Sequence, residues 1–437
     1  MKLKSNTISL MVLLVALHCT CRHSLLAQSS PPFRPPAYPL LTHNPYFSIW
    51  SFSDHPGESR TKHWTGTNQA LTSLVRIDGK TFRLLGQYDP SLPSMKLTRS
   101  EVHPTRTLYF FEEGGLRLVL TFTSPLLPWD PTLLSFPGGY ISWQVESSDG
   151  KEHTVQICFD ANAELCVNSS DQDVSWARFQ RKGYHLLRMG STQQPVLQKS
   201  GDNLRIDWGS LYLASPQNQA NTAVLARPEA VRRTFIKTGD IPEEDDLPLL
   251  RRSHEPWPVM ATCFQLGAVL APRNVFLLLA YDEIYAVEFL SRRLPPYWRN
   301  GGATPEQAIQ KAVESYAEHL SRCARFDADL EKDLLQEGGP YYKDMAALAY
   351  RQALAAHGLV ADMDGALYYF PKENFSNGLP ITIPDKDDSA CRWTTGRNTP
   401  NWIGSTGRLH SPNPWKTSRP LSAPPMILPA VRPSVCL

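Results

Sequence analysis

From Asn68 onward, short apolar stretches alternate with polar positions at a period of two, and turn residues separate them. In "TLYFFEEGGLRLVLTFTS", Leu116, Leu118, Leu120 and Phe122 share one face and Glu112 to Gly115 supply the turn, which predicts a β-hairpin. "GGYISWQVESSDGKEHTVQICFD" repeats the design around Ser148-Asp149-Gly150, and "VMATCFQLGAVLAPRNVFLLLAYDEIYAVEF" adds strands around Pro272-Arg273-Asn274. Many strands at short spacing, without helical patterns between them, predict an antiparallel β-sandwich rather than a parallel α/β sheet.

The period switches at "GGATPEQAIQKAVESYAEHLSRCARFDADLEKDLLQEGGP". Thr304 suits an N-cap, Pro305 the first helical position, and Gln307 completes a capping box. Ile309, Val313, Tyr316, Leu320, Cys323, Phe326, Leu330 and Leu334 recur every three or four residues, and Gly338-Gly339-Pro340 ends the pattern, so a long amphipathic helix is expected. "YYKDMAALAYRQALAAHGLV" is a second, Ala-rich helical pattern closing near Gly358, followed by a strand-like Tyr368-Tyr369-Phe370. At the other end, "SSPPFRPPAYPL" is an extended, Pro-rich lead-in. After Asn377 both periods fail. From Ser389 to Leu437 the chain has no Asp or Glu and many prolines, a composition expected to lack sustained structure.

Composition narrows the partners. The 437 residues, 42% of them hydrophobic, suffice for more than one domain. Lys and Arg outnumber Asp and Glu by only 44 to 42, so no long-range positive field favours nucleic acid. Lys2 and Lys4, the apolar run from Ile8 to Leu17 and the small-residue site ending at Ala27 have the form of a secretory signal peptide cut near Ala27–Gln28. The run is shorter than the roughly 20 residues of a spanning helix, so no stable membrane insertion is expected. The location is then secreted or periplasmic, with a lipid anchor at Cys19 or Cys21 or an uncleaved leader as alternatives. Cys158, Cys166, Cys263, Cys323, Cys391 and Cys436 are too sparse for a disulfide framework and read as buried thiols, with a Cys158–Cys166 bridge across a hairpin as the alternative.

No nucleophile elbow, zinc-protease helix, Walker loop or dinucleotide fingerprint is present, and no metal or cofactor is implied. Weaker clusters remain. "THNPYFSIWSFSD" and "TKHWTG" gather His43, Asn44, Tyr46, Trp50, Asp54, His63 and Trp64, a mixture suited either to a pocket for a small polar ligand or to the core of a closing strand and loop. Asp362 and Asp364 before Gly365 resemble half of a calcium loop but lack its closing Glu, and read as a simple Asp-Gly turn. In "KENFSNG", Glu373 has Lys372, Asn374 and Asn377 nearby, so the stretch is either a solvated polar loop or a carboxylate placed for acid/base work. Arg351 and His357, on the Ala-rich pattern, read as satisfied core or inter-helix polar groups rather than catalytic ones. "NSS" from Asn168 and "NFS" from Asn374 are formal glycosylation acceptors.

"PLLTHNPYFSIWSFSD", "TKHWTG", "SLVRIDGKTFRLLG", "VNSSDQDVSWARF", "LRIDWGSLYLA", "LAYDEIYAVEF", "LPPYWR", "ALAYRQALAAH" and "FPKENFSNG" together resemble the glutaminase A family, in that family's order, from about Pro35 to Gly378. The resemblance implies a β-sandwich followed by a linker helix and an α/α toroid of the six-hairpin glycosidase-like kind. It also implies hydrolysis of L-glutamine to L-glutamate and ammonia. Family toroids carry their working groups on loops at one end, which raises Glu373 as a catalytic candidate. Asn374, Asn377, His43, Trp50, His63 and Trp64 become substrate-binding candidates. The expected organisation is a signal peptide over 1–27, an N-terminal segment over 28–98, a sandwich over 99–302, a linker helix over 303–336, the start of a toroid over 337–378 and an aberrant tail over 379–437. Because family-like sequence stops at Asn377, the expectation is a frame lost or truncated near Gly378–Leu379, with activity impaired. The substrate is a small molecule, glutamine or, in the rival reading of a glycan-active or glycan-binding protein, a sugar; the remaining alternative is an inactive remnant.

Overall fold

The structure is a computed structural model of the chain. It describes residues 33–219, 221–246, 258–362 and 365–372, and the backbone of the strands Cys391–Gly396 and Thr399–Ile403.

Two antiparallel sheets face each other, as the alternation predicts. One has five strands in the order Asn221–Ala226, Val259–Val269, His153–Asn162, Leu71–Ile77 and Lys80–Leu85. The other has eight, in the order Val174–Arg181, Tyr184–Ser191, Ser210–Pro216, Arg273–Asp282, Gly138–Ser147, Leu116–Thr123, Arg106–Glu113 and Leu97–Val102. Leu116, Leu118, Leu120 and Phe122 are all fully buried on one inner face. Trp143 crosses the interface: its ring meets Phe159 and Phe264 of the opposite sheet, and its indole N–H donates to Ser73 Oγ at 3.1 Å. A buried indole stays satisfied in this way, and the sandwich gains both apolar burial and a fixed register.

The hairpin prediction holds for Arg106–Glu113 with Leu116–Thr123, whose ladder runs to Glu113 opposite Leu116. The bend is therefore Gly114-Gly115, both at positive φ (64° and 78°) as a tight two-residue turn requires. The reading of Ser148-Asp149-Gly150 as a second hairpin bend is corrected. Gly138–Ser147 pairs within the eight-stranded sheet and His153–Asn162 within the five-stranded one, so this turn arches between sheets. The Pro272 turn does the same between Val259–Val269 and Arg273–Asp282. Strands buried on both faces carry no alternation that tells a hairpin from an arch.

Helices cover the outer faces. Helix α1 (Pro131–Ser135) is a single turn capped by Asp130, and α2 (Pro228–Thr238) lays Val231 and Phe235 on the five-stranded sheet over Cys158, Cys263 and Val224. Helix α3 (Pro305–Glu314) starts with the predicted Thr304–Gln307 capping box. Helix α4 (Tyr316–Ala355) follows, breaking at Gly339 (φ 75°) before Pro340, where the sequence places the end of its first pattern. Ile309 and Ala312, with Tyr316 and Leu320, lie on the outer face of the eight-stranded sheet over Tyr140, Tyr184, Tyr212 and Leu278. Asp327 pins α4 to the sandwich: its carboxylate accepts from Thr105 N, Thr105 Oγ and Arg106 Nε at 2.7–2.9 Å. Among the described residues the cysteines Cys158, Cys166, Cys263 and Cys323 are free and buried, as expected.

After α4, the strand His357–Ala361 pairs with Leu367–Pro371. Cys391–Gly396 and Thr399–Ile403 extend this ladder to four strands, and the rest of 379–437 lies outside the described residues. The local signal is "CRWTTGRNTPNWI", where Trp and Thr flank a Gly-containing turn. No helix among the described residues is long and apolar enough to cross a membrane.

Candidate functional site

Loops at one end of the sandwich converge on the segment 43–47. Asn44 organises it: Oδ1 accepts from Tyr46 N and Phe47 N at 3.0 and 2.9 Å, an Asx turn. Its Nδ2 donates to Glu283 Oε2 at 2.8 Å, tying this loop to the end of the strand Arg273–Asp282. The turn leaves Pro45 O free to accept from two side chains, His63 Nε2 at 3.0 Å and Trp64 Nε1 at 2.9 Å. A carbonyl only accepts, so His63 carries its proton on Nε2, and Nδ1 receives the Thr65 hydroxyl at 3.0 Å. Burial pulls the His63 imidazole down to about 3, with Pro45 O opposing and Arg205 adding to the fall. At neutral pH it is a neutral ring that holds Trp64 in place.

Trp64 is only partly buried, and Lys372 lies against it, Nζ 5.2 Å from the ring centroid and 3.0 Å from Asp202 Oδ1. Asp202 is exposed, so the ion pair itself contributes little; the ammonium over the indole face adds a cation–π contact. Arg205 buttresses the same end, donating to Thr67 Oγ at 2.9 Å, Asn203 Oδ1 at 2.7 Å and the Asn168 carbonyl.

Beneath this surface lies Glu283. It is 2% exposed, and burial pushes its carboxyl up to about 8; Asn44 and Arg299 oppose the rise and Asp282 adds to it. Trp208 closes the floor, its indole donating to Glu283 O at 2.8 Å and Tyr46 meeting it edge-on at 5.0 Å. Asp282 accepts from Nε and Nη2 of Arg299 at 2.9 and 3.0 Å.

Of the sequence-predicted residues, His63 and Trp64 are brought together with Asn44 and Tyr46. His43 is buried apart from them; neither of its ring nitrogens has a well-formed partner, the backbone of Leu134 and Ser135 favours its charged form, and burial prevails, pulling it down to about 3. Trp50 is buried and donates to Ser48 Oγ at 2.9 Å. Glu373, Asn374 and Asn377 lie outside the described residues, while Lys372, which precedes Glu373, sits on Trp64. Asp364 also lies outside them; Asp362 makes the expected turn, its carbonyl accepting from Gly365 N, and pairs with Arg292 at 2.8 Å. Arg351 is fully buried and donates to Leu40 O, Thr42 Oγ and Ser124 Oγ, a bridge from α4 to the sandwich.

Glu283, Trp208 and Arg205 were not singled out by the sequence. The only signals are the acidic pair Asp282-Glu283 ending an apolar run and the "RIDW" stretch between strands. Neither distinguishes a buried carboxyl from a solvated turn.

Comparison with known proteins adds family evidence. A family model described as "Domain of unknown function (DUF5127)" matches residues 105–333, and a second, "Domain of unknown function (DUF4964)", matches residues 10–96. Glutaminase A of Aspergillus oryzae is 26% identical over 374 residues, covering 82% of this chain and 53% of that protein. A probable glutaminase of Arthroderma benhamiae is 24% identical, covering 80% of this chain and 44% of its own length. The chain thus spans about half the length of these curated relatives. A solved structure from Escherichia coli K12, described as a candidate aldose 1-epimerase, aligns over 56% of this chain and 98% of its own at 8% identity, with a TM-score of 0.28. A likeness at that score decides nothing about ligand or chemistry.

Proposed function

Because the chain belongs to the glutaminase A-like family, with the DUF5127 model spanning more than half of it, we propose that it forms the sandwich-bearing part of a secreted amidohydrolase acting on the side-chain amide of L-glutamine. The observation that carries this reading is the 26% identity to Glutaminase A over 82% of the chain. The toroid and the export of the chain through its N-terminal leader belong to the same proposal.

Amide hydrolysis needs an activated water, donors for the developing oxyanion and an acid for the leaving ammonia. In this reading Glu373 activates the water or protonates the leaving group, and Asn374 or Asn377 donates to the oxyanion. Trp64, fixed through Pro45 O, lies against Lys372, the residue before Glu373.

The test is ammonia release from L-glutamine by the purified 437-residue chain. Impaired but measurable release is expected, with Glu373→Gln lowering kcat by about 100-fold or more, the contribution usual for a general acid or base. Release of reducing sugar from glycans without ammonia from glutamine overturns the amidase reading in favour of the glycan-active one.

A further inference from the structure

A cavity of about 350 Å³ lies between α1, the Trp298 segment and the α3–α4 junction, away from Trp64 and Glu283. Its walls include Leu133, Phe136 and Trp298, with the last two rings edge to face at 5.6 Å. Its volume lies within the range of small-molecule sites.

The polar groups in this wall are unusually well defined. Tyr140 Oη lies 2.8 Å from Ala312 O and 2.7 Å from His319 Nδ1. A phenol has one proton and the carbonyl can only accept, so both contacts are hydrogen bonds only if the tyrosine donates to Ala312 O and His319 Nδ1–H donates to the tyrosine. Nε2 of His319 is then an unprotonated acceptor on the far edge of a ring that lines the cavity, without a partner among the described residues. The indole N–H of Trp298, 5% exposed, has no acceptor among the described residues. Arg322 is engaged by Asp130 at 2.7 Å, whereas Lys311, at the rim, has no ion pair among the described residues. A partly buried acceptor without a partner costs free energy, and a donor on a bound ligand is one way to satisfy His319 Nε2.

We propose that this cavity is a second binding site, for a small carboxylate with an apolar ring and a hydroxyl or N–H donor. The ring packs on Phe136 and Trp298, the donor meets His319 Nε2, and the carboxylate meets Lys311. Such a ligand would bridge the Phe136 and Trp298 segments and the junction between the last turn of α3 and the first turn of α4.

Isothermal titration of the full chain with 4-hydroxyphenylacetate tests this, with phenylacetate lacking the donor and 4-hydroxyphenethyl alcohol lacking the carboxylate. Saturable one-to-one binding is expected, about fivefold weaker for each analogue. Lys311→Met, at an exposed position that does not threaten folding, should weaken 4-hydroxyphenylacetate about fivefold and leave the alcohol unchanged. His319→Phe should abolish the preference for the hydroxyl. No saturable binding at millimolar probe, or equal affinity in wild type and Lys311→Met, overturns the proposal.

Discussion

Glu283→Gln should flatten the alkaline limb of the stability–pH curve. The carboxyl is buried and titrates at about 8 in the folded chain, against about 4.3 unfolded. Between those values the folded state holds a proton that the unfolded state has released, so stability is complete at acid pH and is lost as pH rises through 8. The loss amounts to up to about 5 kcal/mol. The neutral amide cannot titrate, so the variant should lack that slope, whatever its absolute stability with the extra N–H group to satisfy. His43 and His63 act in the opposite sense: both are depressed to about 3, so their contribution is complete above the unfolded value near 6.5 and is lost as pH falls toward 3. Urea unfolding at pH 5, 6.5 and 8 decides the matter. Parallel curves for wild type and Glu283→Gln would show that the carboxyl is not buried as a neutral acid.

The same residue shows why the fold was more legible than the site. Period-two alternation at Leu116 to Phe122 and three-four spacing from Ile309 to Leu334 are local consequences of burial on one face; the strand forms where its pattern puts it, and the single long helix expected from the other forms as two helices that meet at Ser315. Which strands pair is not local. Ser148-Asp149-Gly150 looks like a hairpin bend, yet His153–Asn162 pairs with Leu71–Ile77 and Val259–Val269 rather than with the strand that precedes the bend. The Asn44–Glu283 hydrogen bond likewise joins positions 239 residues apart, and nothing near either residue announces it. Trp64 was visible as an aromatic beside His63, but its orientation depends on Pro45 O, freed by an Asx turn that only the three-dimensional structure displays. Resemblance of ordered motifs supplied the family, which spacing alone could not.

Arg232→Ala is expected to cost about 3–5 kcal/mol, the range for removing one partner of a buried ion pair. Arg232 donates from Nε and Nη2 to both oxygens of Asp160 at 2.8 and 2.7 Å, and from Nη2 to Thr72 Oγ at 2.8 Å. Asp160 is 1% exposed, so deleting the guanidinium strands a carboxylate beneath α2, where water cannot replace the lost donors. The pair itself has a smaller net value, because both charges were desolvated to form it. Arg232→Met combined with Asp160→Leu should therefore recover much of the loss, and the double-mutant cycle should show strong coupling. Urea denaturation of the four proteins measures this directly. Additive losses, or a single-variant cost below about 1 kcal/mol, would mean that α2 is held by Val231 and Phe235 alone and that the ion pair only chooses where along the sheet the helix sits.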